Sequence, residues 1–76
     1  MSETTERLVY MANQIATAFR TQGNDAAVRA TFDHMVRFWD PRMRHGLIAH
    51  CAGGGAGLNA IARAAAERLA AAEGVR

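Results

Sequence analysis

Phe38-Trp39-Asp40-Pro41-Arg42-Met43-Arg44 is the stretch that decides how this chain is read. It holds the only tryptophan, the only proline and two of the nine basic residues, all of which are arginine. Asp followed by Pro is a helix-start signal. The carboxylate caps orphan N–H groups, and proline suits the first helical position. A residue before proline is also pushed out of helical geometry. One helix is therefore expected to end at this point and another to begin at Pro41. Arg42 and Arg44 then stand near a helix N-terminus, where the dipole disfavours cations. Their placement asks for a reason other than helix stability.

Upstream of the break, Val28, Phe32, Met35, Val36 and Trp39 fall on one helical stripe. This predicts a helix from about Ala26 to Phe38 or Trp39, capped by Asn24 or Asp25 after a helix-ending Gly23. Arg29 and Asp33 are spaced for an outer ion pair, and His34 lies off the stripe, where solvent is expected. Further upstream, Leu8, Ala12, Ile15 and Phe19 define a first helix capped by Thr4 or Thr5. Tyr10, Asn13 and Gln14 lie off its stripe, and Tyr10 and Asn13 share a face that offers a polar contact patch. Downstream, Met43, Leu47, Ile48 and Cys51 predict a helix from Pro41 to Ala52. Gly46 inside it costs helix stability unless another backbone approaches closely there. Gly53-Gly54-Gly55-Ala56-Gly57 ends that helix, and Asn59 caps a last one with a thin stripe of Ile61, Ala65 and Leu69. Fraying is expected from about Glu73. The periodicities predict an all-α fold, a small bundle of four short helices forming a single domain over residues 1–76.

The chain has 76 residues, one cysteine and a formal net charge of +2. A domain of this size buries only about 60% of its unfolded surface, so the core is small. One cysteine excludes an internal disulfide and argues against structural zinc. Many of the hydrophobic residues are alanines, which bury little area each. There is no apolar run of membrane-spanning length and no basic stretch ahead of an apolar one at the N-terminus, so a cytoplasmic location is expected. The modest charge does not suggest strong nucleic-acid binding.

Three features invite a chemical reading. The glycine run could cradle a phosphate, but no strand precedes it and no Lys-Ser/Thr follows, so a helix-to-helix turn needing positive φ is the better reading. Cys51, His45 and His50 form a thin set, spaced so that no two share a helix face, and a cysteine filling a small apolar site is expected. The arginines around the break carry the most information. One of Arg42 and Arg44 can fold back over Trp39 while the other reaches outward. Trp39 itself is either a core plug or an outward anchor of the kind enriched at protein interfaces.

Leu8-Val9-Tyr10-Met11-Ala12-Asn13-Gln14-Ile15-Ala16, Phe38-Trp39-Asp40-Pro41-Arg42-Met43-Arg44 and Gly53-Gly54-Gly55-Ala56-Gly57-Leu58 together resemble the delta subunit of NAD-dependent, molybdenum-containing formate dehydrogenase. The likeness runs from about residue 8 to 69. It departs at Asn59-Ala60, where the family pattern has a cap followed by proline. The resemblance implies a non-catalytic accessory subunit that docks on the catalytic alpha subunit and supports assembly, stability or insertion of the molybdenum cofactor. It further implies a complex carrying bis-molybdopterin guanine dinucleotide, iron–sulfur clusters and FMN, with beta and gamma subunits passing electrons to NAD. No cofactor, metal or catalytic residue is expected on this chain. The expected interface is Trp39, Asp40, Pro41, Arg42, Met43 and Arg44, with Tyr10, Asn13 and Gln14 as a second contact. The alternative is a small helical nucleic-acid-binding protein using the arginines that follow Pro41.

Overall fold

The computed structural model describes residues 2–74. Four α-helices follow one another: α1 Glu3–Phe19, α2 Asn24–Phe38, α3 Pro41–Ala52 and α4 Ala60–Ala72, with a single 3₁₀ turn at Arg20–Gln22. No strand occurs among the described residues, as the periodicities predicted.

The helix ends follow local chemistry. Asp40 Oδ1 accepts from the Met43 amide at 2.9 Å, and Asn59 Oδ1 accepts from that of Ala62 at 2.8 Å. Both caps are the ones expected. α1 begins earlier than expected: Ser2 Oγ, rather than Thr4 or Thr5, accepts from the Thr5 amide at 3.1 Å. Glu3 and Glu6 then lie in the first turn, where the dipole favours them. α2 also starts early, at Asn24, because Gly23 takes the N-cap position with φ +97° and no side-chain cap is made.

The core gathers Leu8, Met35, Trp39, Leu47, Ile48, Leu58 and Leu69 with a set of fully buried alanines. Val36, expected on the buried stripe of α2, is 48% exposed. Thr31 takes the interior place, its hydroxyl donating to the Ala27 carbonyl at 2.7 Å so that it is buried without an orphan group. Arg29 and Asp33 do not close to ion-pair distance; the ion pairs among the described residues are Arg7–Glu3, Arg44–Glu73 and His45–Glu73. The most extensive helix contact is α2 against α4. Ala62, Ala65 and Ala66 make α4 a smooth face that lets its backbone come close. Gly46 makes room between α3 and α1: a Cβ there would sit 2.7 Å from Leu8 Cδ1. The close approach is by a side chain rather than another backbone.

Candidate partner interface

The break between α2 and α3 is a built corner. Trp39 and Asp40 are both extended, with ψ 136° and 166°, so the chain changes direction over two residues. Trp39 turns inward and is 4% exposed, packed in the core. It is a plug, not an outward anchor. Its neighbour Phe38 takes the outward position, 71% exposed.

Arg44 folds back, as one arginine was expected to, but onto backbone rather than over the indole. Its Nη1 donates to the Trp39 carbonyl at 2.5 Å and its Nε to Glu73 Oε2 at 3.2 Å. His45 Nε2 lies 2.6 Å from the other carboxylate oxygen of Glu73. Glu73 is therefore tied to α3 by two residues and caps α4, where fraying was expected. The hydrogen bond from His45 is the main cause, and together with that from Arg44 and the charge of both it holds the Glu73 carboxyl below the usual glutamate range, outweighing the desolvation that opposes it. Asp40, Pro41 and Arg42 remain exposed, and Met43 is half-buried against the core. The corner thus divides into Trp39, Met43 and Arg44, which hold it, and Pro41 and Arg42, which face outward.

The second expected contact divides similarly. Tyr10 is 64% exposed and Gln14 is exposed. Asn13 is not available with them. Its Nδ2 donates to the Gly57 carbonyl at 2.8 Å and its Oδ1 accepts from the Asn59 amide at 2.9 Å. The amide pins α1 to the connection between α3 and α4.

That connection is the helix-to-helix turn expected of the glycine run, with φ of +122°, +65° and +87° at Gly54, Gly55 and Gly57. Its carbonyls point to protein rather than to a ligand. Arg63 Nη1 donates to Gly54 O at 3.0 Å and Nη2 to Gly55 O at 3.1 Å, while His50 donates to Ala56 O at 2.8 Å. Arg63 was not singled out from sequence. The signal existed: like Arg44, it is a cation near a helix N-terminus, four residues after the cap, where the dipole disfavours it. Both arginines are turned onto carbonyls, which removes Arg44 from the phosphate-facing set that the nucleic-acid alternative needs.

Cys51 is half-buried against the core, and burial, with the nearby Glu67 charge, pushes its thiol up despite Arg63. A raised thiol pKa is the opposite of what a nucleophile needs. Among the described residues, no three His, Cys, Asp or Glu side chains converge where they could hold a metal ion, and no helix is long and apolar enough to cross a membrane. On the outer side of α2, Phe19, Ala30, Asp33, His34, Arg37 and Phe38 line an open groove of about 300 Å³. His34, expected in solvent, is half-buried there and packs against Phe38 with ring centroids 4.8 Å apart and the rings tilted by 46°.

No curated protein and no solved structure compared with the chain matches it. A family model described as the NADH-dependant formate dehydrogenase delta subunit FdsD matches residues 7–66. That span holds the capped corner, the Asn13 clamp, the glycine turn and Arg63. The chain belongs to the FdsD family and is a delta subunit of a multi-subunit, NAD-linked formate dehydrogenase.

Proposed function

We propose that the chain is a non-catalytic accessory subunit that docks on the molybdenum-bearing alpha subunit of formate dehydrogenase and supports its assembly, stability or cofactor loading in the cytoplasm. Family membership supports the class of complex. The observation that carries the docking reading is the division of labour around the corner. Trp39, Met43 and Arg44 hold its shape from within, the exposed Asp40 caps α3, and Asn13 clamps the neighbouring turn. Pro41 and Arg42 are left outside, as are Tyr10 and Gln14 on α1. Tyrosine and arginine are the residue types that most often dominate interface energetics. In this reading Arg42 supplies a planar, bidentate cation for a partner carboxylate and Tyr10 a large amphipathic contact. The beta and gamma subunits, FMN, the iron–sulfur clusters and the bis-molybdopterin guanine dinucleotide belong to the rest of the complex.

Deleting the chain is expected to lower holoenzyme yield or its molybdenum content. In the complete complex, Arg42→Glu combined with Tyr10→Ala is expected to cut co-purification with the alpha subunit by about tenfold or more. Circular dichroism of the variant chain would establish that it still folds. Normal yield, metal loading and formate oxidation in the deletion strain would overturn the reading.

A further inference from the structure

We infer that the outer face of α2 pairs with the same face of a second copy of this chain, antiparallel and about a two-fold axis near His34. Ala30, Asp33, His34, Arg37 and Phe38 follow at i, i+3, i+4, i+7 and i+8, the pattern of a helix–helix contact face, and together they line one groove. In the isolated fold this face is incompletely used. Phe38 is 71% exposed yet held in place by His34, and neither Asp33 nor Arg37 joins an ion pair among the described residues.

The face is complementary to itself. Turned end for end about His34, residue 38 of one copy comes level with residue 30 of the other. The large Phe38 then meets the small Ala30, with Phe19 as a wall, and each does so twice. Asp33 of one copy comes within about 3 Å, along the helix axis, of the level of Arg37 of the other, well inside the reach of an arginine. An isologous contact needs this reciprocity, in which residue i meets residue j and j meets i. An acid and a base that pair neither with each other nor with a neighbour among the described residues, flanking an exposed aromatic opposite a small residue, satisfy it with one helix. The face offers few residues beside the roughly 20–30 a side of a standard interface, so the pairing is weak and reversible.

Sedimentation equilibrium of the full chain, from about 10 μM to about 1 mM, tests this. A concentration-dependent monomer–dimer equilibrium is expected, with Phe38→Ala weakening it by about tenfold or more. Asp33→Arg and Arg37→Asp place like charges across the axis, so each variant alone is expected to stay monomeric. Their equimolar mixture, and the double variant Asp33→Arg/Arg37→Asp, restore opposite charges and are expected to dimerise again. Helical circular dichroism unchanged in every variant keeps the comparison independent of folding. A monomer at all concentrations, or a dimer indifferent to the single charge reversals, overturns the inference. So does a chain that stays monomeric while Phe38→Ala releases another subunit of the complex, since the face would then belong to that subunit. The sedimentation measurements use this chain alone, and the docking proposal is tested at Tyr10 and Arg42, so failure here is separate from failure of that proposal.

Discussion

Asn13 holds the connection between α3 and α4 with both ends of its amide, donating to the Gly57 carbonyl and accepting from the Asn59 amide. Replacing it by alanine leaves two backbone groups to find water in a half-covered place, a loss of about 1–3 kcal/mol. Asn13→Ala is therefore expected to lower the thermal midpoint by several degrees, and an unchanged midpoint would remove Asn13 from this role. The sequence showed that Asn13 lies off the apolar stripe of α1. It could not show the destination, because the two bonding partners are 44 and 46 residues away. Arg63 differs only in degree. Its position near the start of α4 was legible as electrostatically odd, yet the carbonyls that explain it are freed by positive-φ glycines in a turn whose path sequence does not specify.

At the scale of elements, the capped start of α3 was legible because everything it needs is within three residues: Asp40 Oδ1, Pro41 and the Met43 amide. The far end of α4 was not. An Ala-Arg-Glu helix with two large apolar groups reads as one that loosens toward its end. Instead Glu73 receives Arg44 and His45 from α3 and closes the bundle. The consequence for pH has a definite sign. The folded-state pKa of Glu73 lies below its ordinary value of 4.5, so the ionised carboxylate favours the folded state. That contribution is complete above the ordinary value and is lost as the pH falls through the lowered one. The difference in thermal midpoint between the native chain and Glu73→Gln is expected to be largest above about pH 5 and to shrink as the pH falls toward about 3. An equal difference at both pH values would show that the carboxylate charge does not matter.

For the whole molecule, Trp39 is the largest group in the core and joins the corner to the bundle. Trp39→Ala is expected to cost about 3–5 kcal/mol, a large share of the stability of so small a domain. Loss of a cooperative thermal transition in circular dichroism would be the result, and a midpoint near that of the native chain would refute the plug. Elsewhere the core is made from residues that composition undervalues. Ala12, Ala16, Ala27, Ala62, Ala65 and Ala66 are fully buried. Each removes little area from water, but together they let helix axes approach and bring Met35, Leu47 and Leu69 into contact. The sequence by itself determined the four helices, the break at Trp39–Asp40, the Asp40 and Asn59 caps and the glycine turn, because each depends on groups a few bonds or one helical turn apart. Only the tertiary structure decided that Trp39 faces in and Phe38 out, that Arg44 folds onto the Trp39 carbonyl while Arg42 stays exposed, and that Asn13 is a clamp. Neighbouring residues on a helix point about 100° apart. Which of them meets the core is set by how α2 lies against α1, α3 and α4, a matter of packing between distant segments that periodicity along one helix does not contain.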